Sequence, residues 1–224
     1  MFTLYYSPGA CSMACHIVLE ETGLPYEAEV VSSAGPRAGS MTGTPAWHAI
    51  NPKGRVPALA GVPGRIGGAD NLLTEAPAIL LYLARIASQV GLLPADPAAE
   101  ARCIEWMNWL SGSVHAMTYG QLWRAHRFSD DEAALPAIRA RGMAALTEQY
   151  GYIESLLGDG RDWAMPGGYT VVDPYLLVFY HWGGRVGLAM PEACPAWTAL
   201  SRRVAARPAV GCVLQKEGIA IAGL

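Results

Sequence analysis

The sequence predicts a small α/β domain followed by an all-helical one. Three observations carry this reading. Short β-rich and helical runs alternate, with Gly/Pro punctuation, over residues 1–89. Gly91-Leu-Leu-Pro-Ala-Asp-Pro97 has linker composition, so 90–97 divides the chain. Residues 98–224 mostly show helical period.

Residues 2–6 read as a strand and about 11–22 as a helix, ended by Gly23-Leu24-Pro25. Tyr26 to Val31 alternates as a second strand, and Ala34 to Pro45 reads as a loop. Ala46 to Ile50 suits one short helical turn, and Asn51-Pro52-Lys53-Gly54 a tight turn. Val56 to Ala60 reads as a strand with proline near its start, and Asn71 to Leu73 as a fourth. Between them, Gly61 to Asp70 is a Gly/Pro-rich excursion. Thr74 is placed to cap a helix with Pro77 in its first turn, running on to Ala87. The order β-α-β, then β-β-α, is that of a thioredoxin-like domain. Long helices are expected at about 98–127 and 131–157, with shorter ones near 195–206 and 208–217. Thr170-Val-Val-Asp173 has capping-box spacing before a strongly apolar run.

The bulk numbers narrow the function. The 224 residues are 52% hydrophobic and 16% charged, enough for a sizeable core, and the net charge of −3 does not suggest nucleic acid or an anionic membrane. The start has no basic leader region, so no signal peptide is expected. The most apolar run, Val171 to Trp182, is broken by Asp173 and Pro174, so no membrane span is expected either. Five scattered cysteines show no metal spacing and fit a reducing cytosol better than a disulfide scaffold.

The chemistry centres on Leu4 to Ile17. Ser7-Pro8-Gly9 is turn sequence, and helix period begins soon after. Cys11 therefore falls near the amino end of a helix, where unpaired N–H groups and the dipole favour an anion. A thiol so placed can drop from roughly 8.5 into about 3.5–7.5. Cys11 is then either a reactive thiol or part of a site for a ligand's thiolate. The bland alternative is a buried, inert cysteine.

Tyr5-Tyr-Ser-Pro-Gly-Ala-Cys-Ser12, Asn51-Pro-Lys-Gly-Arg-Val-Pro57, Leu73-Thr-Glu-Ala-Pro-Ala-Ile79, Trp109-Leu-Ser-Gly-Ser-Val-His115 and Thr170-Val-Val-Asp173 together resemble bacterial beta-class glutathione transferases. The resemblance spans nearly the whole chain. It implies a thioredoxin-like domain over 1–89, a helical domain over 98–224, a homodimer and glutathione as cosubstrate, while the cysteine usage above gives the expected cytoplasmic location and no metal. Pro57 is then cis, and the Val56 backbone pairs with the cysteinyl part of glutathione. The amino end of the helix at Glu75 and Ala76 suits the γ-glutamyl carboxylate, and Glu75 its ammonium. Ala76 stands where many members have Ser, which removes a hydroxyl contact. The resemblance sets Asn108 and the segment Gly112, Ser113, Val114 and His115 beside the glutathione sulfur. Spacing also puts Asn108, Gly112, His115 and Tyr119 on one helical face. Met13, Tyr119 and Trp123 are candidates for the second-substrate pocket, with core as the alternative. Thr170 and Asp173 match a structural element. The usual lysine for the glycyl carboxylate has only Arg37 in its loop, with His48 or Lys53 as substitutes.

The reading is a detoxifying transferase that joins the glutathione thiolate to small apolar electrophiles, with Cys11, Ser12 or His115 activating the sulfur. Thiol–disulfide exchange through Cys11 is a rival, although Cys11 and Cys15 lack Cys-x-x-Cys spacing. A non-enzymatic ligand carrier on the same fold is another.

Overall fold

The computed structural model describes residues 1–31, 41–64 and 68–224. Arg37, most of the loop from Ala34 to Pro45 and the centre of the Gly61–Asp70 excursion lie outside the described residues.

Four strands form one sheet: β1 (Phe2–Tyr6), β2 (Tyr26–Val30), β3 (Ala58–Ala60) and β4 (Leu72–Thr74), in the order β2-β1-β3-β4. β1 and β2 run parallel, linked through helix α1 (Ser12–Thr22). β3 is antiparallel to both β1 and β4. Strand alternation sends Leu4 and Tyr6 into the main core and Tyr5 to the other face. There Tyr5 meets Trp47 of α2 (Pro45–Ile50), with ring centroids 5.2 Å apart. α3 (Ala76–Ile86) packs beside α1. This is the thioredoxin-like half.

The second half is helical. α4 (Pro97–Trp109) runs into a widened π-type stretch, Leu110–Tyr119, and then α5 (Gly120–Trp123). α6 (Leu135–Leu157), α7 (Val172–Arg185), α8 (Met190–Ala193), α9 (Pro195–Ala205) and α10 (Pro208–Glu217) follow. α7 is apolar on nearly all sides and sits at the centre, packed against α1, α4 and α9. Among the described residues, no helix is long and apolar enough to cross a membrane.

Several boundaries differ from the sequence reading. β3 starts at Ala58, after Pro57, which has no N–H for a ladder. Thr74 ends β4 and does not cap α3. Glu75 takes φ 73° between them, so the helix begins one residue later. The helix expected over 98–127 is interrupted by the π stretch, where the Gly120 N–H reaches back five residues to the His115 carbonyl. Glu132–Ala134 is a 3₁₀ turn before α6. At α7 the capping role of Thr170 and Asp173 holds in altered form. Asp173 accepts the Thr170 and Ala164 N–H groups at 2.7 and 2.8 Å, and Thr170 Oγ1 accepts that of Val172 at 3.3 Å.

The end of the chain closes on its beginning. Lys216 Nζ lies 2.8 Å from Glu20 Oε2, and Arg207 makes a two-point contact with Glu21 at 2.6 and 3.0 Å. Beneath these surface pairs, His16 on α1 and Glu217 on α10 meet inside the core.

Candidate active site

The turn from Ser7 to Cys11 is held from several sides. The Ser12 hydroxyl donates to the Ser7 carbonyl and accepts its N–H, both at 3.1 Å. Gly9 adopts φ +65°, and a Cβ there would stand 3.0 Å from Ile219 Cδ1 and 3.3 Å from His181 Nε2. Its N–H donates to Glu217 Oε2 at 2.9 Å, and its carbonyl accepts from Trp182 Nε1 at 2.7 Å. The turn thus presents Cys11 on a rigid mount at the start of α1.

Two cavities open beside it. The smaller, about 280 Å³, is lined by Cys11, Val56, Pro57, Glu75, Ala76 and His115, among others. The larger, about 630 Å³, shares Cys11, Val56 and His115 with it. Val56–Pro57 is cis, as the resemblance implied. The Val56 carbonyl lies 3.6 Å from the Cys11 sulfur, which donates to it. Glu75, at positive φ, sits where α3 begins and meets Lys53 Nζ at 2.6 Å. Lys53 also reaches Thr74 Oγ1 at 2.9 Å.

The electrostatics correct one expectation. Cys11 is only 7% exposed, and burial pushes its thiol up to about 12. Arg124 and the N–H groups of Cys11 and Ser12 pull the other way, but desolvation wins. Cys11 is therefore a neutral thiol and a hydrogen-bond donor, not the lowered-pKa thiolate its helix position suggested. His115 lines both cavities and packs edge-on to Trp182 at 4.8 Å. Burial, then Arg124, Arg55 and Arg127, bring it down to about 4, so its imidazole is neutral near pH 7.

The other candidates are placed unevenly. Ser12 is fully buried and engaged by the turn, away from both cavities. Asn108, Gly112 and Ser113 lie exposed, Val114 is buried, and none of the four lines either cavity. A π turn takes more residues to close than an α turn, so positions seven apart no longer share a face. Ser111, His115 and Ala116 face the smaller cavity instead. Met13 and Tyr119 are sealed in the core, and Tyr119 Oη pairs with Tyr150 Oη at 2.6 Å. Of the three second-pocket candidates, only Trp123 lines a cavity.

Sequence reasoning missed Tyr175. It is fully buried on α7 and lines the smaller cavity, and among the described residues its hydroxyl lacks a hydrogen-bond partner of good geometry. The available signal was a tyrosine in an otherwise core-like run, whose hydroxyl needs a partner when buried. Arg55, Arg124 and Arg127 were missed as well, since they come from separate segments. Among the described residues, no group of three or more His, Cys, Asp or Glu side chains could hold a metal ion.

Comparison with known proteins agrees with this geometry. Residues 9–86 match the family model of the glutathione S-transferase N-terminal domain. The chain is 32% identical to glutathione S-transferase GstA of Escherichia coli O157:H7 over 217 residues, covering 96% of this chain and 98% of that one. It superposes on a Sulfitobacter glutathione transferase homologue with bound glutathione at a TM-score of 0.85, with 32% identity over 98% of this chain and 99% of the other. A beta-class enzyme from Sphingomonas chungbukensis superposes at 0.78, with 31% identity over 97% and 100% of the two chains. With this identity over nearly its full length, a thioredoxin-like half and a cleft at the amino end of α1, the chain belongs to the glutathione S-transferase family.

Proposed function

We propose that glutathione occupies the smaller cavity and that its sulfur is transferred to a small electrophile in the larger one. The observation that carries this is the meeting of the two cavities at Cys11, Val56 and His115. In this reading the backbone N–H of Ala76 takes the γ-glutamyl carboxylate, and Glu75 turns from Lys53 to the ammonium. Lys53 is then free for the glycyl carboxylate. The cysteinyl part lies along Val56.

The sulfur ends between the neutral Cys11 thiol, the amino end of α1, neutral His115 and the Arg124 guanidinium. These groups favour a thiolate without removing its proton, which passes to solvent. An imidazole at about 4 is too weak a base to hold that proton. Lowering a thiol from ~8.5 by about two units raises the thiolate fraction at neutral pH tenfold or more. Ultraviolet titration of bound glutathione tests this. A pKa about two units below that of free glutathione is expected, and an unchanged one removes the mechanism.

The raised Cys11 pKa speaks against thiol–disulfide exchange, which needs a thiolate on the protein. Residues 1–89 are proposed as the glutathione-binding domain and 98–224 as the domain completing the electrophile pocket. A cytoplasmic, detoxifying homodimer completes the proposal. The half-exposed aromatic group of Trp106, Trp109 and Tyr152 supports a second copy as its cover.

A further inference from the structure

The larger cavity is strongly cationic. Arg55, Arg124, Arg127, Arg139 and Arg185 line it, and among the described residues no aspartate or glutamate does. None of these five guanidinium groups forms an ion pair among the described residues. Such a cluster repels itself: Arg55 bears on Arg124, and both bear on Arg127. This is unlike the chain as a whole, whose net charge is −3.

Glutathione does not account for all of this charge. Its two carboxylates are offset in part by an ammonium, and the smaller cavity has Lys53, Arg55 and Arg127 available for them besides Arg124 at the sulfur. Arg139 and Arg185 line only the larger cavity, on the side of the second substrate.

That side also has an aromatic wall. His115 packs edge-on to Trp182, Trp182 lies 5.1 Å from Trp123, and the Arg185 guanidinium stands 5.5 Å from the Trp123 ring centroid. A flat ring laid along these tryptophans would have His115 and Cys11 at one end and Arg185 at the other.

We propose that the electrophile taken by this protein is an aromatic ring carrying a carboxylate or similar anion, with Arg139 and Arg185 holding the anionic group. This inference rests on the transferase reading above and changes the expected second substrate from apolar to anionic. Guanidinium groups suit such a partner because they bind carboxylates through paired N–H donors.

A matched pair of probes tests it: chlorodinitrobenzene and its ring-carboxylated counterpart, chlorodinitrobenzoate. In each, the glutathione sulfur forms a bond to the ring carbon, the carbon–chlorine bond breaks, and chloride leaves with the electron pair. The thiol proton goes to buffer, and nothing is oxidised or reduced. With kcat/KM divided by the uncatalysed rate, the benzoate should be favoured by about tenfold, and about 0.5 M KCl should pull the ratio toward one. The double variant Arg139→Gln, Arg185→Gln should also bring the ratio near one. A wild-type ratio of one or less, or a preference that survives in the variant, overturns the inference.

Calorimetric titration with dinitrobenzoate and dinitrobenzene, which lack the leaving group, separates binding from turnover. The benzoate should bind about tenfold more tightly to the wild type, and no more tightly than dinitrobenzene to the double variant. Conjugation of both chloro compounds with equal binding of the two analogues removes the anion site and keeps the transferase reading. Preferred binding of dinitrobenzoate without conjugation of either chloro compound removes the transferase reading and keeps the anion site.

Discussion

The Glu217 carboxylate accepts the backbone N–H of Gly9 at 2.9 Å, joining residues 208 positions apart. Its other oxygen lies 2.8 Å from His16 Nδ1, and neither side chain is exposed to solvent. Replacing Glu217 with Ala leaves both the Gly9 donor and the His16 ring nitrogen without this partner. The expected loss is about 3 kcal/mol, read from urea denaturation. Glu217→Gln, which retains an acceptor oxygen, should lose less. Equal stability of the Ala variant and the wild type would show that the tie contributes nothing.

Cys11 should react slowly with iodoacetamide. At about 12, its thiol is almost wholly protonated at pH 8, and it is nearly covered. Cys212, which is partly exposed, should be alkylated first. Peptide mapping of a partial reaction gives the order. Labelling of Cys11 ahead of Cys212 would mean that it holds a thiolate.

The pH dependence of stability has two opposing contributions. His115 stands at about 4 in the fold, against an ordinary 6.5, so the unfolded chain takes up the proton first. Its stabilising effect is complete above about 6.5 and is lost as pH falls toward 4. Burial of Asp173 raises its carboxyl from 3.8 to about 6, so the folded state takes up that proton first. Its contribution is complete below about 3.8 and is lost as pH rises through 6. His115→Gln removes only the first slope. Relative to the wild type, its melting temperature should be higher at about pH 4.5 than at about pH 7.5. A constant difference would place the folded-state pKa of His115 near its ordinary value.

Tyr175→Phe separates a site role from a packing role. Among the described residues the hydroxyl has only a poorly aligned contact with Ser111, so its loss should change stability by less than about 1 kcal/mol. If the group meets bound glutathione, the KM for glutathione should rise several-fold with little change in melting temperature. An unchanged KM would assign Tyr175 to the core alone.

Much of the fold was legible because its signals are local. Strand alternation, Gly23-Leu24-Pro25, and the prolines opening α9 and α10 each mark a boundary without help from distant residues. Of the candidate site residues, Cys11, Val56, Glu75 and His115 line the smaller cavity, and each lies in a short motif that sets the local backbone. Legibility ends where distance or geometry intervenes. Nothing in Leu110–Tyr119 announces a widened turn, so regular helical spacing places Asn108 and His115 on one face, which the structure does not keep. At Cys11 the helix dipole is written in the neighbouring sequence, whereas the burial that outweighs it is supplied by the rest of the fold. The five arginines run from Arg55 to Arg185, and only folding brings them to one cavity.

Gly9 is gripped at both its N–H and its carbonyl by residues from the far half of the chain, Glu217 and Trp182. Synthesis from the amino end makes the Cys11 turn well before either of these clamps. The thioredoxin-like half can collapse as it emerges, yet its working turn waits, unfastened, for α7 and α10. The turn therefore gains its second clamp only once α10 is in place, and a variant truncated before Glu217 would carry Cys11 on a turn that has lost the carboxylate tie at Gly9.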